Sequence, residues 1–129
     1  MKISILLPYK ENFSPEYPGA VSLFVYETGK KSKYKKNIVV FGNTNFKRKF
    51  DLQYININLS KSLLSSQTKN YLNKFIDFQK KYNFSIIEIH NRPMYIKYLY
   101  KKIPNNVYSL YFHNDPLSME GSKTMSERI

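Results

Sequence analysis

The chain is built from short apolar runs that end almost as soon as they begin, and runs of that length bury as strands rather than as helices. Ile3 to Leu7 is closed by Pro8, and Asn37 to Phe41 (NIVVF) by Gly42-Asn43; Phe84 to Ile89 (FSIIEI) and Val107 to Phe112 (VYSLYF) complete the set. Between them, apolar residues recur at helical spacing. Val21, Phe24, Val25 and Thr28 do so up to a stop at Gly29; Tyr71, Leu72, Phe75, Ile76, Gln79 and Tyr82 do so behind a cap at Ser65 or Ser66; Pro93 to Ile103 forms a Tyr-rich helix with proline in its first turn. Strands alternating with helices at this spacing imply right-handed crossovers. The fold class that follows is α/β: a Rossmann-like, mainly parallel sheet with helices on both faces. Tyr54 to Leu59 (YININL) alternates as a half-buried strand, and its short link from NIVVF, without room for a helix, predicts a hairpin or an edge position.

A length of 129 residues fits one domain or part of a larger protein, and 42% hydrophobic content with 12 Tyr and 9 Phe supplies a core. The net charge of +12 favours anionic partners: nucleotides, acidic lipid surfaces or nucleic acid. Only Arg48, Arg92 and Arg128 carry the bidentate fork that readers of bases and phosphates lean on, so much of the charge reads as solubilising lysine. Lys30, Lys31, Lys33, Lys35 and Lys36 read as a solvated helix end and turn; with Lys47, Arg48 and Lys49 they are also a candidate surface for an anionic leaflet. The absence of cysteine excludes disulfides, thiolate metal sites and cysteine nucleophiles, and is compatible with the cytoplasm. The N-terminal apolar run is too short for a signal peptide or a spanning helix, so membrane contact is expected to be peripheral, at the inner face.

In open parallel sheets ligands bind beyond the carboxyl ends of the strands. Those ends here are Pro8-Tyr9-Lys10-Glu11, His90-Asn91-Arg92-Pro93 and His113-Asn114-Asp115-Pro116. The last two share the pattern H-N-x-P, and a spacing close to one strand-plus-helix unit brings both histidines of the chain to one edge. Such histidines can orient a hydroxyl, neutralise a phosphate or move a proton, and Arg92 at a helix start adds an anion donor. Asn-x-Pro is equally ordinary turn chemistry, and a strand-end histidine can simply satisfy backbone groups. The Pro18-Gly19-Ala20 turn opens a helix whose free N–H groups suit a phosphate, and also reads as a plain turn. No GxGxxG, Walker lysine, HExxH, GxSxG or EF-hand motif is present.

The strand ILLPYKENF, the loop EYPGA opening a helix, and the strand ends IIEIHNRP and YFHNDPLSM together resemble the N-terminal, acceptor-side half of GT-B glycosyltransferases of the family 4 type. Many relatives carry two glycines where this chain has Gly19-Ala20. The resemblance implies retaining transfer of a sugar from a nucleotide-sugar donor to a cell-surface polysaccharide or glycolipid acceptor, without metal or other cofactor. It implies a second, nucleotide-binding domain, so that this chain corresponds to one half and is inactive alone. By position it assigns His113 to the reacting sugar, in an orienting and electrostatic role. Gly19 and Ala20 fall to the donor phosphates, and Glu11, His90, Asn91, Arg92 and Asn114 to the acceptor. The competing expectation is a basic Rossmann-like module that binds nucleic acid or membranes without catalysis; the resemblance itself implies no specific nucleic-acid partner.

Overall fold

A computed structural model describes residues 1–60 and 66–113. The elements are β1 (Ile3–Leu6), α1 (Ala20–Gly29), a 3-10 turn (Lys35–Asn37), β2 (Ile38–Gly42), β3 (Tyr54–Asn56), α2 (Gln67–Tyr82), β4 (Ile86–His90), α3 (Pro93–Lys102) and β5 (Tyr108–Tyr111). The five strands form one sheet in the order β3-β2-β1-β4-β5, and every pairing is parallel. This is a Rossmann-like α/β arrangement. The chain moves one way from β1 to β3, then returns through α2 to the other side of β1. The point of reversal lies between β1 and β4, whose carboxyl ends carry the loop 7–19 and the turn at Asn91-Arg92.

Two cores follow from the period of two along the strands. Leu6, Phe41, Ile87 and Ile89 face one side and pack under α2 and α3, where Tyr71, Leu72, Phe75, Ile76, Tyr95 and Leu99 meet them. Ile5, Leu7, Ile38 and Val40 face the other side and are covered by Val21 and Val25 of α1 together with Phe13. Helices therefore lie on both faces, as expected.

β3 is at the edge, but the hairpin is wrong. It runs parallel to β2, with Val40 opposite Tyr54 and Gly42 opposite Asn56. The segment 43–53 makes the crossover without a helix, and aromatic packing takes the place of one: Phe50 stacks on Tyr26 of α1 at 4.3 Å and meets Phe13 edge-on at 5.2 Å. Of the two alternatives, a hairpin or an edge position, the short link without a helix makes a parallel edge strand. Gly29 supplies the expected stop: it is the last residue of α1, although Lys30 after it stays right-handed at φ −64°. A Cβ on Gly29 would lie 2.9 Å from the tip of the Leu52 side chain, so the crossover segment passes close to the end of α1. The expected cap of α2 is present, Ser66 Oγ accepting from Lys69 N at 3.4 Å. Asn83 closes that helix in the left-handed region at φ 52°.

Candidate functional site

His90 ends β4 opposite Tyr111 in register, and His113 lies two residues beyond Tyr111, on the same face of the sheet. Their rings meet: His90 Nδ1 is 2.9 Å from His113 Nε2. The two histidines that open the H-N-x-P motifs thus converge at one sheet edge, as their spacing predicts. The first asparagine holds the second histidine, since His113 N donates to Asn91 Oδ1 at 3.2 Å while Asn91 N donates to Tyr111 O at 2.7 Å. To do this Asn91 adopts φ 58°, a left-handed conformation that asparagine tolerates better than most residues. Asn114 lies outside the described residues.

Glu88 was not singled out from the sequence, and it belongs to the cluster. It sits two residues before His90 on the same face, and its Oε2 is 3.0 Å from His90 Nε2. Its signal was a carboxylate in an otherwise apolar strand, in phase with the histidine. The His90 side chain is only 2% exposed and that of Glu88 28%, so the contact spans from core to rim. Phe24 of α1 caps the pair, meeting His113 edge-on at 5.0 Å, and Tyr111 stacks on His90 at 5.3 Å. Burial and the neighbouring His90 hold the His113 imidazole below the usual histidine range, against a partial upward pull from the Glu11 carboxylate.

Glu11 reaches the start of α1. Its Oε2 accepts from Ser22 N at 3.2 Å, in the first turn of a helix whose N-cap, Gly19, has no side chain to offer. The carboxylate lies where a Cβ on Gly19 would be, 1.5 Å from Oε2. The helix start expected to receive a donor phosphate therefore holds an internal carboxylate, which bonds the same first-turn amide and meets the same positive end of the helix dipole. Ser22 Oγ in that turn is buried without a hydrogen-bond partner. The Glu11 backbone is fixed in turn by Thr44, two residues beyond β2: Thr44 Oγ1 accepts from Phe13 N at 3.0 Å and from Tyr54 Oη at 2.9 Å, and donates to Glu11 O at 3.3 Å. Burial, partly offset by that bond, pushes the Tyr54 phenol up to about 12.

Arg92 is the N-cap of α3 and is exposed; it donates to Asn91 O at 2.8 Å. Tyr95 Oη accepts from Tyr9 N at 2.8 Å, tying the loop after β1 to α3. Glu11, Gly19, His90, Asn91 and His113 thus occupy the carboxyl edge around the reversal point. A separate cavity of about 470 Å³ opens at the opposite edge, where Lys2, Lys36 and Gln53 surround Val39, Tyr82 and Phe84. Among the described residues no group of three or more His, Asp or Glu side chains is placed to hold a metal ion, and no helix is long and apolar enough to cross a membrane. No family model, curated protein or solved structure matches the chain.

Proposed function

We propose that the chain is the acceptor-side half of a retaining glycosyltransferase of GT-B architecture, taking a sugar from a nucleotide-sugar donor to a glycan or glycolipid acceptor. One observation carries this reading: the Glu11-occupied helix start and the His90–His113 contact lie together at the edge of the sheet where its topology reverses. In this reading a second domain holds the donor's nucleotide, and the donor's phosphates take over the amide that Glu11 now holds. His113 orients the reacting sugar and its charge, Asn91 fixes His113, and Arg92 offers a guanidinium to the acceptor. Sugar transfer needs both halves positioned together, so the 129-residue chain alone is expected to turn over no nucleotide sugar.

The test is chemical-shift mapping with glycosyl phosphates and with UDP- and GDP-sugars. Expected are perturbations at Gly19, Ser22, His90 and His113, reduced in an H113A variant. Shifts confined to the lysines at 30 to 36, the same for any polyanion and erased by salt, would instead identify a basic binding module. Turnover of a nucleotide sugar by the purified chain would refute the half-enzyme reading.

A further inference from the structure

Two histidine rings in contact through a Nδ1 and a Nε2 must agree on which nitrogen carries the proton. At this site the choice is made from the far side. The Glu88 carboxylate accepts, so His90 Nε2, 3.0 Å away, carries a hydrogen. A neutral His90 then presents a lone pair at Nδ1, and His113 Nε2, 2.9 Å from it, must be the donor. The rings are held for this alignment by Phe24 and Tyr111, and the main chain of His113 by Asn91.

We propose that Glu88, His90 and His113 form one hydrogen-bonded acid–base chain, in which Glu88 is the positioning residue and His113 Nδ1 the outer, proton-accepting atom. When a proton arrives at His113 Nδ1, the Nε2 proton of His113 passes to His90 Nδ1. His113 is left as the neutral Nδ1–H tautomer and His90 becomes an imidazolium bonded to Glu88. One proton enters and none leaves, so the charge of the cluster rises by one, and the positive charge rests beside the buried end of the chain with a carboxylate to compensate it. The titratable groups facing the pair are Glu88 of β4, Glu11 of the loop after β1 and Tyr111 of β5; α1 contributes Phe24. A phosphate arriving at the strand ends would thereby find a site that gains positive charge with one proton. This last consequence rests on the function proposed above; the chain of hydrogen bonds does not.

Long-range proton–nitrogen NMR of the two histidines, recorded on the whole protein without ligand from about pH 5 to pH 8, tests it. At the alkaline end both rings should read as neutral Nε2–H tautomers, and protonation should appear as two coupled steps shared by both rings. E88Q keeps a polar partner of the same size but removes the charge, and should lower proton affinity at the first step about tenfold, one pH unit. E88L should also release the His90 tautomer; if that variant does not fold, E88Q alone decides. A Nδ1–H tautomer of His90 in the wild type, or two independent titrations unchanged in E88Q, would overturn the proposal. Because no ligand is present, failure of the mapping with glycosyl phosphates would leave this result standing, and the reverse.

Discussion

A methyl group added at Gly19 would sit 1.5 Å from Glu11 Oε2 and 2.3 Å from its Cδ, while the backbone there, at φ −70°, is open to any residue. The whole penalty of G19A is therefore the expulsion of the carboxylate from the start of α1. Loss of such a cap costs about 1 kcal/mol. Urea denaturation should show that loss for G19A and for E11A, and no further loss in E11A/G19A. If the double variant is less stable than E11A by as much as G19A is below wild type, Glu11 is not what Gly19 accommodates. His113 gives a second prediction. Its folded-state pKa lies below the unfolded value of 6.5, so between the two the unfolded chain binds more protons. Its contribution to stability is thus intact above about pH 6.5 and falls as the pH drops through the window beneath it. Urea midpoints of wild type against H113Q should converge on acidification, whereas a constant difference at every pH would show that His113 titrates alike in both states. At this scale the sequence revealed the histidines and Asn91 through a repeated motif, whereas Glu88 and Thr44 repeat nothing and Phe24 shows only as one apolar residue of a helical stripe. Their roles depend on which face each strand turns toward which helix.

Among the elements, α2 carries the return crossover, and one hydroxyl pins it to the sheet. Tyr71 is fully buried, and its Oη donates to Leu7 O at 2.7 Å, the residue that follows β1. Burial holds that phenol well above its ordinary value, so it remains a donor throughout the range in which the protein folds. Y71F would keep the ring against Tyr9 and Tyr95 but leave a buried carbonyl short of a donor, at a cost of about 1 to 3 kcal/mol. Thermal or urea unfolding measures it; a variant within error of wild type would mean that Leu7 O is satisfied without Tyr71. Helices and core strands were legible because their apolar periods are unbroken and their start signals, the Ser66 cap and Pro93 in the first turn of α3, are chemically specific. β3 was legible as a strand and an edge but not in its direction. A crossover held by Phe50 on Tyr26 and by Leu52 over Gly29 has no period to read, since its contacts are made one at a time with a distant helix.

At the scale of the whole molecule, the parallel sheet separates the two features that the sequence left side by side as candidate anion sites. His90 and His113 stand at the carboxyl ends of their strands, while Lys30, Lys31, Lys33, Lys35 and Lys36, all exposed, precede the amino end of β2. A strand of β2's length puts about 15 Å between those levels. That exceeds the screening length of about 8 Å at physiological salt, so the lysines contribute little to the potential at the histidines. If the lysine face docks on an anionic leaflet, at about 1 kcal/mol per residue near the surface, it turns the strand ends away from that leaflet. Membrane attachment and ligand binding should then be separable. Replacing the five lysines with glutamine is expected to abolish sedimentation with anionic liposomes while leaving the response of His113 to glycosyl phosphates unchanged. In the wild type, that sedimentation should weaken in high salt and be absent with neutral liposomes. Equal binding to both lipid types, or anionic binding that survives the five substitutions, would remove the lysine face from the account. Loss of the His113 response in the same variant would show instead that the two ends of the sheet form one anion-binding surface.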